Sequence, residues 1–343
     1  MSPAPPVRAF APGRVNVIGD HTDYTGGLAL PMAIAEGTTV AVEPGGDVVR
    51  LVSDCETEPA IVALDVSEPA GVTPPWARYV AGVVAALRPA QGATGTVTTT
   101  LPVGAGLSSS AALEVAVALA LGFDGDALEL AQLCQRAEHA ASGVPCGIMD
   151  QLTSAAGVDG ALLLLDCRSL AVTPVPMPPD LAVVAVHSGQ RRALAATAYA
   201  ERRAQCEAAE GEIGPLRDAT LADASALADP VLRRRARHVV TENARVLAFV
   251  DALGSREYDE AGRVLVESHA SLRDDFEVST PEVDDLVARL NQADGVLGAR
   301  MTGGGFGGVV LSVCHAEAAA QVATAYEGGV VVPSRGASCR NAS

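Results

Sequence analysis

Three glycine-rich segments of the chain carry residue types that can do chemistry: GRVNVIGDHTDYTGG (Gly13 to Gly27), LPVGAGLSSSAALEVA (Leu101 to Ala116) and MTGGGFGGVVLSV (Met301 to Val313). The middle segment is the most informative. A strand-like stretch, Thr94 to Leu101, runs into a Gly/Ser loop and then into an Ala-rich helix. That order suits a phosphate group: a helix N-terminus offers unpaired backbone N–H groups, glycines permit close approach, and hydroxyls stand beside them. The cradling positions are then Gly104, Gly106, Leu107, Ser108, Ser109 and Ser110. A Gly/Ser run also serves as a plain helix cap, but three serines in succession favour a ligand. The first hypothesis is a nucleotide-phosphate site.

An absence narrows the kind of site. All 24 basic residues are arginine, so a P-loop of the form G-x-x-x-x-G-K-[ST] is excluded, as is any Schiff-base lysine. A dinucleotide fingerprint starting at Gly104 fails as well, because Ser109 stands where G-x-G-x-x-G requires its last glycine.

Composition fits a water-soluble enzyme. With 343 residues there is room for two domains, and with 49% hydrophobic but 3% aromatic residues the core must be built from Ala, Val and Leu. A net charge of -17 argues against nucleic acid and anionic membrane as partners. The longest apolar helical run, Ala111 to Leu121, is interrupted by Glu114 and too short to span a bilayer, and the MSPAPPVRAF start lacks a signal-peptide stretch. A cytoplasmic monomer is expected. Seven irregularly spaced cysteines read as reduced thiols. Cys134, Glu138, His139 and Cys146 lack the C-x-x-C pair that would argue for zinc.

The chain patterns as mixed α/β. Strands are predicted at Thr38 to Val42, Val48 to Val52, Gly95 to Leu101, Ala161 to Leu165, Leu181 to Val186 and Val309 to Val313. Helices are predicted at Tyr79 to Leu87, Ala111 to Leu121, Ala127 to Ser142, Ala196 to Glu210, Leu232 to Leu253, Tyr258 to Ser271, Pro281 to Gln292 and Ala316 to Tyr326. Asp229-Pro230 and Thr280-Pro281 read as helix starts. The Pro-rich stretch Thr173 to Asp180 reads as a boundary between halves or a surface loop.

The three motifs resemble those of the GHMP small-molecule kinases, and among these the galactokinases. Further matching segments lie between them in the same order: PWARYVAGV (Pro75 to Val83), CQRAEHAASGVPCGIMDQLTSAAG (Cys134 to Gly157), YAERRAQCE (Tyr199 to Glu207), RRARHVVTENARV (Arg234 to Val246) and SHASLRDDFEVSTPEVDDLV (Ser268 to Val287). The resemblance implies an α/β (α+β) fold of two domains, a ribosomal-protein-S5-like N-terminal domain over residues 1–180 and a ferredoxin-like C-terminal domain over 181–343, with the active site in the cleft between them. The tail from Gly329 to Gly336 is expected to return to the N-terminal domain. The implied reaction moves the γ-phosphoryl group of ATP to the anomeric hydroxyl of a hexose, galactose first.

What the resemblance implies for single residues follows the motifs. Asp150, in GIMDQ, is the expected proton acceptor, with Arg14 opposite it to pair with the carboxylate or to stabilise charge on the transferred group. Mg²⁺, which keeps water and phosphate oxygens among its ligands, would take Ser110 and Glu138. Asp20, His21, Asp23, Gly147 and Tyr199 are expected around the sugar, and Trp76 and Tyr79 around the adenine.

Two departures from the family stand out. The first motif normally reads G-E-H-x-D-Y, whereas Asp20 occupies the Glu position, shortening its reach by about 1.5 Å, one methylene. Arg191 and Arg192 stand in a segment that borders the sugar site in the family. A related sugar such as galacturonate, N-acetylgalactosamine or arabinose is the alternative substrate, and a non-catalytic sugar sensor the alternative class. The intact serine run, Asp150 and Glu138 speak for catalysis. HTDY and RRARHV speak against the mevalonate and homoserine kinase branches.

Overall fold

A computed structural model describes residues 5–101, 106–190 and 195–341. The N-terminal half contributes β1 (Val7–Asn16), β2 (Leu28–Ala29), β3 (Pro31–Pro44), β4 (Val48–Ser53), β5 (Ala60–Ala63), β6 (Ala93–Thr99), β7 (Ala161–Asp166) and β8 (Ala171–Pro176), with α1 (Ala77–Leu87), α2 (Ser109–Ala120), α3 (Ala127–Ser142) and α4 (Met149–Ala156). The C-terminal half contributes β9 (Leu181–His187), β10 (Val296–Met301), β11 (Val309–His315), β12 (Gly329–Val331) and β13 (Ser338–Asn341), with α5 (Ala195–Ile213), α6 (Leu221–Ala226), α7 (Pro230–Ser255), α8 (Tyr258–Asp274), α9 (Pro281–Leu290) and α10 (Ala319–Ala325).

The N-terminal sheet runs β13-β1-β3-β6-β4-β5 and is antiparallel except where β4 pairs with β6. The C-terminal sheet runs β10-β11-β9-β12 and is antiparallel throughout. Numbered within that sheet alone, the order is 2-3-1-4, the split βαβ arrangement of ferredoxin-like folds, with α5 to α9 filling its first crossover. A small third sheet, β2-β7-β8, lies between.

The strands β2, β5, β10, β12 and β13 and the helices α4 and α6 are not among the predicted elements, and two further differences have a clear physical reason. The Pro-rich segment beginning at Thr173 is, up to Pro176, an edge strand against β7. Pro174 and Pro176 are two apart, so both missing N–H groups fall on one side, which an edge strand can leave without a partner. The first motif opens on a strand, β1, whose alternation is hidden by a register shift between Pro12 and Arg14.

The halves share a core. Val15, Ile18 and Leu30 of the N-terminal half pack in one cluster with Val246, Phe249, Leu265 and Leu311 of the C-terminal half. The tail adds a second tie: Ser334 N–H donates to the Ala33 carbonyl at 2.9 Å, Ala337 N–H to the Ser154 carbonyl at 2.8 Å, and β13 pairs with β1. The tail thereby straps α4 to the strand beside it, and the Ser154 hydroxyl reinforces the contact by donating to the Pro12 carbonyl at 2.7 Å. These ties hold the two elements that carry Arg14 and Asp150.

Candidate active site

Arg14 leaves β1 just past the bulge and is almost wholly buried. Its guanidinium grips Asp150 with both prongs, Nε to Oδ1 at 2.8 Å and Nη2 to Oδ2 at 3.0 Å, and its Nη1 donates to the Gly106 carbonyl at 2.7 Å. The Arg14 backbone N–H donates to the Leu107 carbonyl at 3.1 Å. Asp150 reaches this place because α3 stops at Gly143, in the left-handed region at φ +70°, and the chain turns back into α4, of which Asp150 is the second residue.

The serine run divides its work. Ser108, at φ +58°, stands at the N-cap of α2 without capping it; its hydroxyl donates instead to Asp150 Oδ2. Ser110 donates to Glu138 Oε1 at 3.0 Å. Helix α2 starts at Ser109, two residues ahead of the sequence expectation, so Ser109 and Ser110 belong to its first turn, where the backbone N–H groups lack intrahelical partners. Gly104 lies outside the described residues, as do Arg191 and Arg192.

Asp150 and Arg14 face a cavity of about 210 Å³ that is also lined by Asp20, His21, Asp23, Gly147 and Tyr199. Its size suits a small polar molecule. His21 is held at φ +64°, with Nδ1 3.0 Å from the Tyr24 hydroxyl and its ring 4.6 Å from that of Phe276 and 5.4 Å from that of Tyr199. Burial, followed by the neighbouring Asp150 charge, raises the Asp23 carboxyl to about 7. Asp23 fits only because residue 147 is glycine: a Cβ there would fall 1.8 Å from Asp23 Oδ2.

A second cavity, of about 300 Å³, is lined by Trp76, Tyr79, Ser109 and Ser110, with Thr38 and Leu113. Trp76 is also a core residue, 8% exposed, and its indole N–H donates to the Glu58 carbonyl at 3.0 Å. Behind Ser110, Glu138 Oε2 accepts from Gln151 Nε2 at 2.6 Å, and the same amide lies 3.3 Å from Oε2 of the fully buried Glu114. Burial, then Asp150, raises Glu138 to about 7; burial and Glu138 hold Glu114 well above the carboxylate range. A half-buried carboxylate hydrogen-bonded to a hydroxyl, close to anionic neighbours, has chemistry that suits a magnesium ion drawing its remaining ligands from phosphate and water. Among the described residues no group of three or more His, Cys, Asp or Glu forms a metal cage, and Cys134, His139 and Cys146 do not join Glu138 in one.

Residues 2–44 match the galactokinase galactose-binding signature, residues 78–158 the GHMP kinases N terminal domain and residues 249–329 the GHMP kinases C terminal domain. The chain is 44% identical to the galactokinase of Homo sapiens over 92% of its own length and 85% of that protein's. It is 43% identical to the galactokinase of Mycobacterium tuberculosis, over 91% and 90% of the two chains. The chain belongs to the galactokinase family of GHMP kinases. The crystal structure of Lactococcus lactis galactokinase complexed with galactose superposes with a TM-score of 0.90 at 32% identity, covering 97% of this chain and 95% of that one. The Methanococcus jannaschii mevalonate kinase, at 16% identity and a TM-score of 0.70, shares the fold alone. As a galactokinase-family member the chain is an ATP-using sugar kinase.

Three residues in and around this candidate site escaped the sequence reading. Glu114 was visible only as a charge interrupting an apolar helix, which is the signal of a buried carboxyl with a purpose. Gln151 follows Asp150 directly and bridges the two glutamates. Arg300 precedes the third motif and pairs with Asp20 at 2.6 Å while wholly buried; its partner lies 280 positions away, and no local pattern announces it.

Two outcomes are expected. Gly147→Ala displaces the Asp23 carboxylate, so calorimetric sugar affinity falls about tenfold or more with the unfolding temperature little changed; unchanged affinity would remove Asp23 from the sugar site. The raised Asp23 pKa also has a linkage consequence. A carboxyl at 3.8 when unfolded and about 7 when folded contributes stability that is complete below about pH 4 and lost as pH rises to about 7. Asp23→Asn should therefore raise the melting temperature relative to wild type at about pH 8 and show little gain near pH 4. A gain that does not vary with pH would contradict the assignment.

Proposed function

We propose that the chain transfers the γ-phosphoryl group of ATP to the anomeric hydroxyl of galactose. The observation that carries this reading is the position of Asp150, pinned by Arg14 and Ser108 at the N-terminus of α2: it lines the small polar cavity, while Ser109 and Ser110, next to Ser108, line the aromatic-edged one. The galactose-binding signature over residues 2–44 supports the choice of sugar. So does the charge of the polar cavity. Its one described arginine, Arg14, is committed to Asp150, which leaves a sugar carboxylate no arginine to pair with among the described lining residues and suits a neutral sugar.

The sugar hydroxyls bond to Asp20, His21, Asp23 and Tyr199, and the anomeric oxygen faces Asp150. The bond from that oxygen to the γ-phosphorus forms as the bond from phosphorus to the bridging oxygen of ADP breaks, and the hydroxyl proton passes to the Asp150 carboxylate. Arg14 keeps the carboxylate in place and offsets charge at the reacting oxygens. The α2 N-terminus and Ser109 receive the phosphates, while Trp76 and Tyr79 flank the adenine. Ser110 and Glu138 would hold Mg²⁺, which when bound neutralises phosphate charge and orients the triphosphate.

The test is ADP release with MgATP across a panel of galactose, its deoxy and 2-amino analogues, N-acetylgalactosamine, glucose, mannose, galacturonate and arabinose. Galactose-dependent release is expected, falling roughly 10²- to 10⁴-fold in Asp150→Asn while both ligands still bind. Retained turnover in that variant would sink the role of Asp150. Release with another sugar alone would sink the choice of galactose.

A further inference from the structure

Asp20 is the residue at which this chain departs from its family, and what holds it comes from the opposite half of the molecule. Its Oδ1 accepts from the Gly303 N–H at 2.8 Å, and its Oδ2 lies 2.6 Å from Arg300 Nη2. Both partners sit at the end of β10 and the start of the third motif. The main chain at Asp20 is held as well, its carbonyl lying 3.1 Å from His238 Nε2 on α7.

Arg300 is itself immobilised. Its side chain is wholly buried, Nη1 donates to the Val17 carbonyl at 2.9 Å, and Nη2 lies 3.7 Å from Glu242 Oε1. Glu242 is anchored in turn: Oε1 accepts from the Gly19 N–H at 3.0 Å and the Ser268 hydroxyl at 2.6 Å, and Oε2 from Arg245 Nε at 2.8 Å. Burial raises the Glu242 carboxyl, but Arg245 and Arg300 more than offset this and bring it to about 2, so it stays charged. Asp20 and Glu242 thus face Arg300 and Arg245 in one buried network, in which burial pushes the Asp20 carboxyl up and Arg300 opposes that shift. Asp20 lines the sugar cavity and Arg300 does not.

We propose that Arg300 is the positioning residue that sets how far the Asp20 carboxylate extends into the cavity, and so determines selectivity at the sugar hydroxyl that Asp20 receives. The inference rests on reading that cavity as the sugar site. Each carboxylate oxygen accepts two hydrogen bonds; Oδ1 has one position taken by the Gly303 N–H and keeps the other for a hydroxyl, while Oδ2 is turned toward Arg300 as an ion pair. Because Arg300 cannot move, the shorter side chain at position 20 is drawn toward β10, and the pocket is about one methylene deeper there than a glutamate would leave it. Arg300 acts only through Asp20.

The experiment is direct calorimetry of galactose and its monodeoxy analogues, without ATP, on wild type, Asp20→Asn, Arg300→Lys and the double variant, with kcat and both KM values measured alongside. In wild type the analogue lacking the hydroxyl that Asp20 receives should bind about tenfold more weakly than galactose. Asp20→Asn and Arg300→Lys should each abolish the penalty for that analogue and no other. Both should raise the sugar KM about tenfold while kcat and the ATP KM change less than twofold, and the double variant should be no worse than Asp20→Asn. Additive losses, a penalty erased for every hydroxyl, or a parallel fall in kcat would overturn the proposal. Asp20→Glu leaves Arg300 in place and provides an independent check should Arg300→Lys not fold: discrimination must change at that same hydroxyl, and unchanged discrimination overturns the proposal. Wild type that binds galactose with normal Arg300→Lys behaviour refutes the inference alone. Wild type that binds no sugar refutes the reading of the cavity and the inference with it.

Discussion

A guanidinium taken out of water must meet a carboxylate that is already in place, and the Arg14–Asp150 pair imposes that condition on much of the N-terminal half. The partners are 136 positions apart, so the pair exists only when β1 and α4 are adjacent. Leaving the buried Arg14 charge without its partner costs up to roughly 3–5 kcal/mol; Asp150, whose side chain is 31% exposed, loses less. The bulge at Pro12 to Arg14 aims the arginine inward, the stop at Gly143 turns the chain into α4, and the tail clamps α4 to its neighbours. The same guanidinium fixes the carbonyl of Gly106, so the loop that begins α2 is located by the pair as well. One interaction therefore registers Asp150, the proposed proton acceptor, against the N-terminus of α2, where the phosphates are proposed to bind.

A second buried charge network does the corresponding work between the halves. Asp20, Arg300, Glu242 and Arg245 join the first motif to β10 and α7, across a core that both halves contribute to. Opening the cleft by rigid separation would expose that apolar cluster and break paired charges together. The first motif is in this way coupled to the placement of the third: the Gly303 N–H that bonds Asp20 belongs to it.

Much of the fold was legible because its signals are local. Helix α3 spans the residues its periodicity indicates, closed at one end by an Asp126 and Glu129 capping box and at the other by Gly143. The N-caps at Asp229 and Thr280 accept from their own first turns. Strand β1 was hidden because Pro12 and Gly13 break its alternation, and β8 because its prolines read as a loop when no neighbouring strand is in view. Helix α2 starts earlier than its apolar pattern because Ser109 and Ser110 turn toward ligand space rather than the core. At the site, the motif residues were legible because they cluster in short segments. Arg300, Gln151 and Glu114 were not: what distinguishes them is a partner supplied by a remote stretch of chain, and that pairing is a property of the folded state.

The central claim is that phosphoryl transfer takes place at the oxygen facing Asp150, and regiochemistry tests it most directly. Galactose isotopically labelled at its anomeric carbon, incubated with MgATP and the protein, should give a product whose labelled carbon resonance is split by phosphorus in the NMR spectrum. A phosphorylated product in which the labelled carbon shows no such splitting, with phosphorus attached at another hydroxyl, would contradict the account.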